Sequence, residues 1–480
     1  MDTTSPEILP NRRRLFVASC AALVATAMAF SIRADIMNDM KGEFLLNDEQ
    51  LGWIAGAGIW GFTISIFVWA ALIDVLGMRT ALWMACLGHI IGSTIICFLA
   101  GSFATLFVGW LIIALANGMV EASINPLAAT VYPDKKTHML NVLHAWWPGG
   151  LVIGGLLGFG LSKTIAGTMS PEALWRVKVG FVYLPAVFYG ILLLGQKFPQ
   201  TERVQQKVST SAMFLEALRP GFLILLLCMF MTASMELGPN QWIAVLTDKL
   251  VKGMPGILVL VYGSGLMFLL RFFAGPLVHR LSAMGLLIVS TIVAGVGLVL
   301  LSYSATVGVI FLAATVLYVG TAYFWPTMLG TVAERYPKGG AFLLGLMGGS
   351  GMAIVGLVAV PLMGRCQDKY FQASLAEPVK QVVVAEGKVD QAKVQELRTS
   401  GADEAKQALA DADRDAAAAT LRWVASLAIV LVIIFGAIAI KDKASKAAAP
   451  PAVATAAGGE PSQEEGQAEP GAQEGGEEQA

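Results

Sequence analysis

Apolar residues run in long blocks along this chain, and the blocks set its elements. Residues 80–120 form a stretch of 41 positions without one Asp, Glu, Lys or Arg, and residues 281–333 form another of 53. A helix crossing hydrocarbon needs about 20 apolar residues, so each block holds two crossings joined by a short turn. Apolar stretches bounded by charges, Pro and Gly predict twelve membrane helices, at about 15–36, 49–75, 81–100, 105–130, 139–162, 177–196, 220–245, 255–278, 283–303, 307–331, 341–363 and 420–440. Asn11-Arg-Arg-Arg14 and the apolar residues after it have the outline of a secretory signal, but the length of that segment and the eleven spans that follow make it the first span. Two segments are polar. Residues 365–419 are rich in Ala, Lys, Gln, Asp and Glu, with a helix expected over Gln381–Arg398. The tail 441–480, which from 444 on is mainly Ala, Pro, Gly, Glu and Gln, is too poor in apolar residues to fold and is expected to be disordered.

Composition agrees. Of 480 residues, 56% are hydrophobic and 14% charged, against about 25% charged in a soluble domain. So few charges do not cover a soluble surface of this size. A soluble enzyme, a nucleic-acid binder and a secreted disulfide scaffold are excluded, and the lipid bilayer is the expected surrounding. The net charge of −1 hides an asymmetry, because 459–480 holds seven Glu and no Lys or Arg. With the N-terminus placed inside, short inner loops carry 16 Lys and Arg and outer loops 6. That bias puts both termini in the cytoplasm of a multi-pass cell (inner) membrane protein, with the insert 365–419 outside. The cysteines, Cys20, Cys86, Cys97, Cys228 and Cys366, form no CxxC pair and read as small packing residues. No HExxH, GxSxG or P-loop is present, so no catalytic activity, cofactor or metal is expected. Nothing in the sequence calls for more than a monomer.

The chain resembles itself at an offset of about 200 residues. Pro148-Gly-Gly-Leu-Val-Ile-Gly-Gly-Leu156 aligns with Gly349-Ser-Gly-Met-Ala-Ile-Val-Gly-Leu357. Each follows a proline-bearing helix, with Asn125-Pro126 in one and Trp325-Pro326 in the other. The expected organisation is a half at 15–196, a linker at 197–219 and a second half at 220–440. Between spans two and three, Asp74-Val-Leu-Gly-Met-Arg79 is a D-x-x-G-x-R motif. Gly77 permits a tight turn, Arg79 stays in the headgroup zone, and Asp74 is placed to face a neighbouring helix N-terminus, a gating role. Its counterpart Gly275-Pro-Leu-Val-His-Arg280 is degraded, with His279 in place of the acid. Gly150, Gly154 and Gly158 make one face of span five small enough for close helix approach.

Ionisable groups at membrane depth are costly and mark function. Glu121 and Glu236 sit near the middle of spans four and seven, and Arg271 toward the cytoplasmic side of span eight. Arg33 and Asp35 lie near the outer end of span one. Asn125 shares a helix face with Glu121, four residues away. Asn141, His144 and Trp146 open span five; Asn240 and Gln241 follow Glu236; Tyr323 and Trp325 lie in span ten. Amides and acids bond hydroxyls and rings stack on C–H faces, so this set is suited to a sugar. A lipid-facing position or an interfacial belt is the alternative for the aromatics.

At Glu121-Ala-Ser-Ile-Asn-Pro126, and at Leu140-Asn-Val-Leu-His144 with its Gly-rich continuation, the sequence resembles the fucose permease branch of the major facilitator superfamily. That resemblance implies an all-α membrane protein, twelve transmembrane helices in two pseudo-symmetric six-helix halves. It also implies a sugar:proton symporter, with a sugar substrate and protons as partners and acids at Glu121 and Asp35 coupling the proton. Ser31-Ile-Arg-Ala replaces the branch's usual span-one residues and puts Arg33 beside Asp35, so the substrate is not inherited. Metabolite or drug efflux, and a non-transporting sensor on the same fold, are the competing readings.

Overall fold

The computed structural model describes residues 9–46, 48–165, 167–250, 257–385 and 388–448. Eleven helices among them are long and apolar enough to cross a membrane. They are Arg12–Met37, Trp53–Leu76, Met78–Leu99, Phe103–Val131, Pro133–Thr164, Pro171–Leu193, Pro220–Asn240, Ala274–Ser302, Val307–Arg335, Pro337–Ser374 and Asp403–Ala444. A shorter apolar helix, Leu258–Arg271, falls where the eighth span is expected. With it the twelve expected spans are accounted for in order, and they are called spans one to twelve below. Helices dominate because hydrocarbon offers backbone groups no partner, and a helix satisfies them within the segment.

Local signals shape the ends. Span four starts at Ser102, whose hydroxyl accepts from the Thr105 N–H while the Thr105 hydroxyl accepts from the Ser102 N–H. Spans two and three are joined by one residue, Gly77, at φ +83°, where a side chain would be strained. In the second half the reversal falls at Ser282, at φ +62°, so Ala274–Leu281 belongs to the end of span eight rather than to span nine. Span eight is therefore a broken helix, interrupted after Arg271. Span ten breaks likewise between Thr321 and Phe324.

The close helix approach expected at the Gly face of span five is made by span one. A Cβ on Gly150 would press on Val24 and Ala27, one on Gly154 on Met28, and one on Gly158 on Asp35. The halves meet along two seams, span two against span eleven and span five against span eight. Phe67 of span two packs on Gly349 of span eleven, and Phe268 of span eight packs on Gly149 of span five. Phe67 and Phe268 are 201 residues apart, the offset that aligns Pro148 with Gly349. The operation that carries span two to span eight carries span eleven to span five. The two seams are thus copies of one contact, which is what two pseudo-symmetric six-helix halves require.

The insert 365–419 is built on the helices of spans eleven and twelve. One runs on to Ser374 and the other begins at Asp403. Between them lie Glu377–Val383, a two-residue antiparallel pairing of Val384–Ala385 with Lys388–Val389, and Gln391–Ser400. The helix expected over Gln381–Arg398 is therefore not continuous. The β-branched run Val382-Val383-Val384 turns extended at Val384, and a separate helix follows. Phe371, Leu375, Val379, Val383, Val394 and Leu409 give the insert its own apolar core. Asp413 ties it to span seven through Lys249 at 3.0 Å. Residues up to Ala439 form one compact unit and 440–480 a second. The disorder expected for the tail concerns residues of which 449–480 lie outside those described.

Candidate functional site

Prolines decide where the backbone has bonding capacity to spare. A proline in a helix has no N–H for the carbonyl four residues earlier. Pro148 in span five therefore releases the carbonyl of His144, and Pro326 in span ten releases that of Ala322. Arg271 takes both. Its Nη1 donates to the His144 carbonyl at 2.6 Å and its Nε to the Ala322 carbonyl at 2.7 Å. Its Nη2 donates to Glu236 Oε1 at 2.8 Å. One buried guanidinium, at the break in span eight, thus joins spans five, seven and ten.

A second buried group lies beside it. The Asn125 amide donates to Glu121 Oε1 at 3.1 Å and to the Glu121 carbonyl at 2.9 Å. Its oxygen faces His144 Nε2 at 2.8 Å, which makes Nε2 the protonated ring nitrogen. His144 Nε2 also stands 3.7 Å from the Glu121 carboxylate. The Trp325 side chain reaches the same carboxylate from the opposite half, and the Trp325 backbone reaches Glu236. The result is a polar path from span five through span four to span ten and on to spans seven and eight. Glu121 is 4% exposed and, among the described residues, has no Lys or Arg within ion-pair distance, whereas Glu236 has Arg271. Among the described residues Glu236 Oε2 is buried without a hydrogen-bond partner.

Of the residues singled out in the sequence, Glu121, Asn125, His144, Glu236, Arg271 and Trp325 come together here. Asn141 bonds the Thr137 carbonyl and, at 3.3 Å, the hydroxyl of Thr327 across the halves. Tyr323 donates to the Leu270 carbonyl at 2.9 Å and so braces the break in span eight. Trp146 instead packs edge-on against Phe268 and Phe272 in the span five–span eight seam. Asn240, one turn beyond Glu236, makes no hydrogen bond among the described residues, and the side chain of Gln241 lies outside them. Asp35 pairs with Lys178 of span six at 2.6 Å, not with the adjacent Arg33.

On the face that carries the start of span one, Asp74 does not meet a long helix terminus. It accepts from Arg203 at 2.5 Å and from the Thr201 hydroxyl, both in the linker between the halves. Arg79 is exposed. Nearby, Lys136 pairs with Glu202 at 2.8 Å, and the Thr137 hydroxyl donates to Glu334 at 2.5 Å. These contacts close the two halves on each other at this face. They were missed in the sequence because each joins residues far apart in the chain, although the charge of Glu334 at the end of the long apolar block marks a helix end.

The family model of the Major Facilitator Superfamily matches residues 15–360. Over 154 residues the chain is 24% identical to the putative niacin/nicotinamide transporter NiaP of Bacillus subtilis (strain 168); the match covers 31% of this chain and only 37% of that relative. The E. coli fucose:proton symporter FucP, in an outward conformation, superposes with a TM-score of 0.62 at 16% identity, covering 88% of this chain and 98% of FucP. The human organic anion transporter MFSD10 (TETRAN) gives 0.63 at 14% identity, covering 89% and 100%. At these identities the structural likenesses speak for the fold alone. With the family model spanning most of the chain, and the two seams related by the internal repeat, this protein belongs to the Major Facilitator Superfamily.

Proposed function

We propose that the protein is a secondary active transporter that takes up a sugar or related polar small molecule together with protons, by alternating access between its halves. The observation that carries this reading is Glu121. It is a buried acid without a cation partner among the described residues, hydrogen-bonded through Asn125 to His144, with the Trp325 side chain of the second half near it. A carboxylate in such a place lacks charge compensation, and a proton supplies it. Because Asn125 and Trp325 both contact Glu121, the presence of that proton is felt by both halves. Asp35 is the second proposed proton site, and a proton there competes with Lys178. Asn125, Asn141, His144, Glu236, Asn240, Arg271, Tyr323 and Trp325 form the proposed substrate-facing set, with Asp74, Gly77 and Arg79 at the gate. By the loop charges, the face bearing Asp74 is cytoplasmic.

Uptake of a labelled sugar panel into proteoliposomes, with and without a pH gradient, tests this reading. Uptake that ignores the gradient contradicts it. Glu121→Gln carries the shape of the protonated acid without its proton. It is expected to abolish accumulation driven by the gradient, a loss of at least about 10-fold, while counterflow exchange of substrate persists. A Gln variant that still concentrates substrate assigns Glu121 a structural role.

A further inference from the structure

Arg33 of span one is a cation that the network above does not use. Its guanidinium lies in the notch left by Gly58 of span two, where a Cβ would take its place. The ring of Phe30 is 4.9 Å away and that of Trp110, in span four, 5.9 Å. Among the described residues no carboxylate or carbonyl accepts from it, and its neighbour Asp35 is committed to Lys178. The Trp110 indole N–H is buried without an acceptor as well. A second donor without an acceptor among the described residues thus belongs to the ring that the guanidinium lies over. Cation–π contact returns less than withdrawing a charge from water costs. What is missing is an anion. Arg33 itself is only half-buried, so one can reach it.

We infer that Arg33 and the Trp110 indole N–H form a carboxylate site, and that the transported molecule is a small organic monocarboxylate whose body lies along Phe30 and Trp147. This deepens the transporter reading and rests on it. A guanidinium matches a planar carboxylate with two parallel hydrogen bonds. A dianionic phosphate would call for more positive charge, and the nearby Lys178 is already neutralised. Phe30 packs tilted against Trp147 at 5.4 Å and edge-on against Phe62 at 6.0 Å, an apolar surface for the body of the molecule. Trp147 is one turn from His144 on span five, so this surface leads from Arg33 to the buried polar network. Trp110 lies eleven residues before Glu121 on span four, about 16 Å along the helix. Carboxylate and proton therefore occupy separate places, and each supplies the charge its site lacks.

The test is equilibrium binding to the purified full-length chain at constant ionic strength, with matched pairs: nicotinate against nicotinamide, and glucuronate against glucose, with chloride as the inorganic control. At least one acid is expected to bind 10-fold or more tighter than its neutral partner, and the pair that responds distinguishes a flat ring from a hydroxylated one. Arg33→Gln should remove that difference. Gly58→Ala, which evicts the guanidinium while keeping its charge, should weaken acid binding several-fold, and it decides the matter if the Arg33 variant does not elute as a monodisperse protein. Neutral partners binding as tightly as acids, acids binding both variants like the unaltered chain, chloride competing as well as the acids, or no acid binding at all would each overturn the site. Neutral sugars driven by a pH gradient while acids stay inert would overturn the site and leave proton symport standing. Acids bound but never accumulated would keep the site and sink the transport reading.

Discussion

At the scale of single residues, Arg271 is the group on which most depends. It makes three hydrogen bonds in three directions, to Glu236 and to the two carbonyls released by Pro148 and Pro326. Arg271→Gln leaves Glu236 buried opposite no charge, and breaking a buried pair in this way costs about 3–5 kcal/mol. Arg271→Lys keeps the charge but not the rigid planar fork, so it should recover only part of the loss. Thermal unfolding of the purified protein measures both; a Lys variant melting with the unaltered chain would show that charge alone suffices. The acids and the arginine stand out in the sequence because charges are rare in apolar blocks. Their pairing does not, since Arg271 is 35 residues from Glu236 and 127 from His144. Part of it was nevertheless legible: counting back four residues from each proline identifies the carbonyls that need a donor.

At the scale of elements, the twelve spans were legible because hydrocarbon imposes one length and one composition on each. The breaks in spans eight and ten were not, because they depend on partners from other helices that satisfy the freed backbone. Nor was the hairpin in the insert, where local propensity and packing against Phe371 and Leu409 outweigh a helical composition. The proline in span five gives the sharpest test at this scale. Pro148→Ala restores an N–H that competes with Arg271 for the His144 carbonyl. Span five should straighten, and the bridge to span eight should loosen. The expected outcome is a several-fold slower transport cycle with equilibrium binding little changed, read by comparing uptake rates with binding of the same compound. Loss of binding with an unchanged rate would show that the freed carbonyl serves the ligand rather than the bridge.

At the scale of the whole molecule, the repeat predicts two seams, and the structure shows why one conformation holds at the face bearing the start of span one. Lys136–Glu202, Thr137–Glu334, Asn141–Thr327 and Asp74–Arg203 all span the halves or tie them to their linker there. Gly330 lets spans five and ten touch: a Cβ on it would lie 2.7 Å from the Thr137 Cα, a backbone atom that yields only if the helices separate. Gly330→Val should therefore disfavour closure at this face without touching Glu121, Arg271 or Arg33. Alternating access then requires the population to move toward the state open here, and a shift of a few kcal/mol suffices to reverse a modest preference. A single cysteine placed at Ala333, 6% exposed in the closed arrangement, reports it in a background with the five native cysteines replaced. Labelling by a polar maleimide supplied from this face should rise several-fold in the Gly330→Val chain and fall again when a bound substrate draws the halves closed. Labelling that stays at the level of the unaltered chain would mean that spans five and ten part by some route other than the rocking of one half against the other.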